Sequence, residues 1–311
     1  MQAPPFQFPI YMKLALIGYK GLLGQELQRV FASENPTLLD SDTCDITNET
    51  LLHETLTTLK PELVINAAAY TNVEEAETHR DQAFEINAHG ARNLADVCRE
   101  INATLVHYST DYVVDGIKRD GYAEDDDTGT PVNVYGQSKL MGEAFIRQSL
   151  QQHYIIRLSS LFGPAKKNFV SIMLDLAENH TELKVVGDQY MKPTYAPDLA
   201  AATAKLFHEH APFGIYHLPN EVQPLGGDTE ATHTTHVGIS WAQFAREIFT
   251  INHELHVNTP IPQVVEIKAN EWSAKSKRPH HSALLNTKRP LQRPYYEALR
   301  EYILTISVKK T

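Results

Sequence analysis

Apolar residues in the first half of the chain gather into short unbroken runs: Lys13-Leu14-Ala15-Leu16-Ile17, Leu63-Val64-Ile65-Asn66, Thr104-Leu105-Val106-His107-Tyr108 and Tyr154-Ile155-Ile156-Arg157-Leu158. A strand with one wet face would alternate, so runs this continuous predict strands buried on both faces. Between them the apolar spacing becomes helical, first over about residues 22–32. Alternating strand and helix predicts an α/β fold, a doubly wound parallel sheet of Rossmann type covered by helices on both sides. Leu183-Lys184-Val185-Val186 adds a later strand.

Past Leu158 the alternation fades, and Pro164, Pro193, Pro197, Pro212, Pro219 and Pro224 separate shorter elements. The expected division is a sheet domain over residues 12–158 and a smaller C-terminal lobe over 159–311, some of whose elements can return to the first domain. Residues 1–11 are proline-rich without a basic stretch and read as an irregular N-terminal extension. Residues 221–238, with Gly226-Gly227, His233 and His236, read as a long loop before a helix from Trp241 to Thr250. The acidic stretch Glu124-Asp125-Asp126-Asp127 reads as a solvated loop.

The 311 residues, 42% hydrophobic and 21% charged, suit an ordinary globular core. With 28 basic against 38 acidic residues, the net charge of −10 disfavours nucleic acid or an anionic membrane as the main partner. No apolar run approaches the ~20 residues that span a bilayer. Cys44 and Cys98 are too few for a disulfide framework or zinc site, which points to a reducing cytoplasm. His233/His236 lies in a loop without cysteine or carboxylate at ligand spacing, His253-Glu254-Leu255-His256 is not H-E-x-x-H, and these histidines with His280/His281 read as solvated, so no metal is expected.

Gly18-x-x-Gly21-x-x-Gly24 follows the first strand and opens the first helix, where glycines let backbone approach a pyrophosphate. This makes the first domain a dinucleotide-binding one. Asp40, near the end of a second strand, would hydrogen-bond an adenosine ribose and repel the extra phosphate of NADPH. That favours NADH, while neighbouring Lys20 keeps NADPH open. Asp45 and Ile46 could flank the adenine, and Asn66-Ala67-Ala68-Ala69-Tyr70-Thr71 ends the third strand with residues small enough for a cofactor to lie over them.

Tyr135 and Lys139 are four residues apart, a spacing that places both on one helix face. An ammonium there would favour the phenolate and make the tyrosine a usable acid. Thr110, after the fourth strand, would orient and polarise a carbonyl that receives hydride and a proton from Tyr135.

Five strings carry a family resemblance: residues 66–74 (NAAAYTNVE), 107–113 (HYSTDYV), 133–143 (NVYGQSKLMGE), 187–190 (GDQY) and Pro193-Thr194. With them the chain resembles the dTDP-4-dehydrorhamnose reductases, extended short-chain dehydrogenase/reductases, over residues 12–306. The resemblance implies NAD(P)H-driven reduction of the 4-keto group of a nucleotide-linked 6-deoxy-4-keto hexose, and a homodimer. It implies that Gly18, Gly21, Leu22, Leu23 and Gly24 hold the cofactor phosphates, with Asp40, Asp45 and Ile46 at its adenosine half. Ala68, Ala69, Tyr70, Thr71 and Tyr108 would line its path, and Tyr135 and Lys139 its nicotinamide end. Val73, Thr110, Asp111, Tyr112 and Ser160 would meet the sugar.

The chain departs from the family in three places. Arg157-Leu158-Ser159-Ser160 has no aromatic ring where the family has one, Met191-Lys192 replaces a small residue, and the 221–238 loop is long. All three are expected on the substrate side, which leaves the sugar open. Two other readings share the motifs: a sugar-nucleotide epimerase or dehydratase holding NAD⁺, and a non-catalytic subunit like the methionine adenosyltransferase β subunit.

Overall fold

The computed structural model describes residues 12–222, 237–257 and 259–308. The N-terminal extension and most of the expected 221–238 loop, including Gly226, Gly227, His233 and His236, lie outside the described residues. From the N-terminus run β1 (Leu14–Ile17), α1 (Leu22–Val30), β2 (Thr37–Leu39), α2 (Glu49–Leu59), β3 (Leu63–Asn66), α3 (Val73–Ala76), α4 (Arg80–Phe84), α5 (Gly90–Ile101), β4 (Thr104–Thr110), α6 (Val134–Ser149) and β5 (His153–Leu158). There follow β6 (Leu161–Phe162), α7 (Phe169–Ala177), β7 (Glu182–Val186), β8 (Tyr190–Met191), β9 (Thr194–Tyr195), α8 (Ala196–His208), β10 (Gly214–His217), β11 (Ile239–Ser240), α9 (Trp241–Leu255), β12 (Gln263–Ile267) and α10 (Tyr295–Val308).

Six parallel strands form the main sheet in the order β10-β5-β4-β3-β1-β2. The continuous apolar runs are explained by its two covered faces. In β1, Leu14 and Leu16 join the core under α1 and α8, while Ala15 and Ile17 join the core under α2 and α5. Winding reverses between β1 and β3, so the helices diverge there and open a crevice at the carboxyl ends of the strands.

After β5 the chain builds a second core around Phe162, Met173, Phe244, Phe249, Tyr295 and Tyr302. It comes back to the sheet through α8, which packs on α1, and through β10 beside β5. The run at Leu183 does not enter the main sheet. It becomes β7, paired with β12 in a separate two-stranded ladder. The sixth strand of the sheet is instead Gly214-Ile215-Tyr216-His217, whose glycine and histidine hide it from an apolar pattern.

The acidic stretch is only partly a solvated loop. Glu124 is buried and accepts hydrogen bonds from the backbone N–H groups of His217 and Thr287 and from the Thr287 hydroxyl. A carboxylate satisfied by several donors tolerates burial that its charge alone would forbid. Among the described residues, no helix is long and apolar enough to cross a membrane, and no three His, Cys, Asp or Glu side chains come together as a metal site.

Candidate active site

The crevice is a cleft of about 700 Å³ bounded by the carboxyl ends of β1, β3, β4 and β5. At one end lies the glycine turn. Gly18 has φ of +80°, and a Cβ on it would lie 2.6 Å from the Ala68 nitrogen. At Gly24 a Cβ would lie 2.3 Å from the Gly18 oxygen, so the absence of both side chains lets the turn close onto β3 and α1. Gly21 caps α1 without a side-chain hydrogen bond, and the first turn carries no acid. Leu22 and Leu23 therefore face the cleft from a helix N-terminus whose dipole favours an anion.

Asp40 follows β2 at the cleft edge. Its carboxylate pairs with Lys20 and accepts from Thr43 Oγ1 at 3.0 Å and the Asp42 N–H at 3.1 Å. These bonds, the Lys20 contact first, hold it below the usual carboxylate range.

Ala67, Ala68, Ala69, Thr71 and Val73 line the floor beyond β3. The preceding motif is braced by Asn87, in a π-turn at residues 85–89. Its amide brackets Tyr70, accepting from Tyr70 N at 2.9 Å and donating to Tyr70 O at 3.0 Å, and reaches Ser138 Oγ at 3.0 Å. One side chain thus joins the β3 loop to the helix that carries Tyr135 and Lys139.

That helix, α6, is capped by Asn133, which accepts from Gly136 N at 2.7 Å. Tyr135 and Lys139 both face the cleft. The Tyr135 ring meets Tyr112 edge-on, centroids 6.0 Å apart. Burial pushes the Tyr135 phenol up to about 12, partly offset by its hydrogen bond with Thr110. The expectation that Lys139 lowers it is not met, because burial outweighs the other influences. Lys139 Nζ instead donates to the Tyr108 carbonyl at 2.6 Å, and burial lowers its amine to about 8 against the opposing pull of Glu143. At neutral pH Tyr135 is therefore a neutral phenol with a proton to give.

Asp111 lines the cleft, but its carboxylate is occupied. Thr110 Oγ1 donates to it at 3.1 Å, Ser159 Oγ at 2.7 Å and Ser282 Oγ at 2.5 Å. Burial raises its acid to about 6 despite these bonds. From its place in the cleft lining, Asp111 also ties the ends of β4 and β5 to the segment before α10.

Several expected contacts lie elsewhere. Ile46 is in the core against Gly90, Asp45 accepts from the Thr47 N–H and hydroxyl, and neither is part of the cleft lining. Tyr70 and Gly24 also lie behind the lining. Tyr108 lines the cleft, but its hydroxyl is bonded to Thr203 in α8. Tyr112 and Ser160 are at the cleft as expected. Met191 packs into the second core and also borders a small recess beside Trp241, while Lys192 forms an enclosed ion pair with Glu221 at 3.0 Å.

Lys166, Lys167 and Trp241 were not foreseen and line the cleft from the second lobe. Trp241 begins α9, packs on Phe169 with centroids 4.7 Å apart, and also borders a small recess shared with Asp111, Tyr112, Gln189 and Arg278. In that recess Gln189 Oε1 and Arg278 Nε are buried without a hydrogen-bond partner among the described residues. The sequence showed a helix starting at Trp241, but not that its ring would cross to the other lobe.

The chain matches the family model described as RmlD substrate binding domain over residues 12–307. It belongs to this family. It is 37% identical to the spore coat polysaccharide biosynthesis protein SpsK of Bacillus subtilis, over 94% of this chain and 96% of that one. To the dTDP-4-dehydrorhamnose reductase of Aggregatibacter actinomycetemcomitans it is 34% identical, over 89% and 91%. The solved dTDP-4-dehydrorhamnose reductase of Bacillus anthracis, in complex with NADP, superposes with a TM-score of 0.84 at 31% identity, covering 95% of this chain and 100% of that one. A UDP-glucose 4-epimerase of Thermus thermophilus shares the fold alone, at 15% identity. In this member of the RmlD family Thr110, Tyr135 and Lys139 line one cleft, and Trp241 of α9 lines it from the second lobe.

Proposed function

We propose that this protein is an NAD(P)H-dependent reductase of the 4-keto group of a nucleotide-linked, dTDP-carried 6-deoxy-4-keto hexose. The observation that carries the reading is the convergence of a neutral buried phenol, a buried lysine and a glycine-turn helix N-terminus on one cleft. The glycine turn fits a dinucleotide on its own geometry, since side chains at Gly18 or Gly24 would strike backbone. Gly18, Gly21, Leu22 and Leu23 would hold the phosphates, Asp40 and Lys20 the adenosine ribose, and Ala68, Ala69 and Thr71 the path toward Lys139. When bound, the nicotinamide supplies hydride to the carbonyl carbon.

Tyr135 gives its proton to the carbonyl oxygen as the C–O bond becomes an alcohol. Thr110, fixed by its bond to Asp111, holds the Tyr135 oxygen in place. Lys139, one helical turn away, is the proton source that restores the phenol. Trp241 offers the sugar an apolar face, the Gln189 and Arg278 atoms offer its hydroxyls an acceptor and a donor, and Lys166 and Lys167 bring positive charge for a diphosphate. Trp241→Ala is expected to raise KM for the nucleotide sugar about tenfold with a much smaller change in kcat. Steady-state kinetics check this, and an unchanged KM would remove Trp241 from the sugar wall.

The reading favours NADH because Asp40, at the cleft edge after β2, would repel a ribose phosphate held beside it, while Lys20 would permit NADPH by swinging from Asp40 to that phosphate. Lys20→Ala should lower kcat/KM for NADPH about tenfold more than for NADH, the worth of one charge-assisted bond. Asp40→Ala should move the ratio the other way. The assay compares the two cofactors at fixed sugar concentration; equal losses would break the assignment.

A further inference from the structure

Behind Lys139 the structure continues a fully buried polar chain through His107 to Asn66, two residues that the reaction as described does not use. The Ala68 backbone N–H points at Asn66 Oδ1 at 3.0 Å, which fixes that atom as the oxygen. The other end of the amide is therefore an NH₂, and it faces His107 Nδ1 at 3.0 Å. Nδ1 must be the bare, accepting nitrogen. Burial, aided by Lys139, holds the imidazole well below its usual range and therefore neutral, so its single proton is on Nε2. That nitrogen lies 3.3 Å from Lys139 Nζ.

An N–H directed at an ammonium is a donor against a donor, whereas the same N–H directed at an amine is a hydrogen bond. We infer that Asn66 and His107 are positioning residues that, by fixing an Nε2–H imidazole against Lys139, favour its uncharged amine and let it exchange protons near neutral pH. The amine accepts from His107 and still donates to the Tyr108 carbonyl. The other groups facing Lys139 do not replace this influence. Glu143, a turn further along α6, favours the ammonium but is held by Arg157 of β5 at 3.0 and 2.7 Å. Tyr135 is a neutral phenol, and the Asp111 carboxylate is occupied by three hydroxyls.

The consequence for the proposed reaction is proton resupply. A lysine locked as ammonium would stabilise charge but return protons slowly, while one that titrates close to working pH can reload Tyr135 at each turnover. The inference about the tautomer stands apart from the choice of sugar, because its test needs no substrate. Nitrogen-15 spectra of histidine-labelled full-length protein, with the His107 signal identified by its loss in His107→Gln, should show a proton on Nε2 and none on Nδ1. Carbon-13 spectra of lysine-labelled protein, with Lys139 identified through Lys139→Arg, then follow its titration.

Asn66→Asp keeps an acceptor for Ala68 and draws the proton to Nδ1; the Lys139 midpoint should rise by about one pH unit or more. Asn66→Leu, which adds no charge, should raise it by less. In active protein the alkaline fall of kcat/KM should move with the midpoint. A native His107 protonated on Nδ1, or a Lys139 midpoint unmoved in both folded variants, overturns the inference.

Discussion

Replacing Tyr135 with phenylalanine should lower kcat by about 10²–10⁴ while leaving dinucleotide affinity within a few-fold of the parent, the loss expected of one positioned general acid. The substitution removes only the hydroxyl. The ring that meets Tyr112 remains, and the glycine turn that would hold the dinucleotide is at the other end of the cleft. The same variant separates the alternatives. An enzyme of this kind loses turnover, whereas a non-catalytic subunit would keep partner activation. The checks are cofactor oxidation for kcat and fluorescence titration of NADH for affinity. A variant that retains near-parental kcat would show that the proton comes from elsewhere.

The second large effect concerns stability behind the site. Arg157 Nε and Nη2 form a two-point pair with Glu143 at 3.0 and 2.7 Å, with the side chains 3% and 1% exposed. The pair joins β5 to α6 directly behind Lys139. Glu143→Leu should destabilise the fold by about 3–5 kcal/mol, because it leaves a guanidinium buried with only the neutral His217 ring beside it. Removing both charges, in Glu143→Leu with Arg157→Leu, should recover much of that loss, since two apolar side chains need no partner. Chemical denaturation of the single and double variants reads the difference. If the double variant is as unstable as the sum of the singles, the cost lies in packing and not in the orphaned charge.

The first five strands and the motif residues were legible because the chemistry that makes them also patterns the sequence. Strands buried on two faces leave uninterrupted apolar runs, as in Leu14–Ile17 and Leu63–Asn66. The glycine turn was legible for a similar reason: Gly18 and Gly24 answer to atoms within 3 Å of where a Cβ would be, and such positions show as fixed spacings. The lobe was harder to read. Trp241, Gln189 and Arg278 reach one wall from α9, the turn before β8 and the segment before α10, and no local period links residues so far apart. Met191 belongs to two surroundings at once, the second core and the recess beside Trp241, and its place in a motif showed only the second of these. Asp111 lines the cleft where the motif implied, but its three hydroxyl partners, Thr110, Ser159 and Ser282, come from separate stretches of the chain and leave no local pattern.

These failures share a cause. Residues whose role is set by neighbours close in sequence, as Lys139 by Tyr135 on one helix face, can be read from spacing. Residues whose role is set across the cleft depend on how two lobes meet, and hydrophobic periodicity is silent on that.

The most direct test of the central claim is a cofactor-oxidation assay on purified protein with a dTDP-4-keto-6-deoxy hexose, run separately with NADH and NADPH. The account predicts substrate-dependent loss of reduced-cofactor absorbance, matched by one equivalent of sugar alcohol and slowed about 10²–10⁴-fold in Tyr135→Phe. No substrate-dependent oxidation with either cofactor, in protein that binds both, would contradict it.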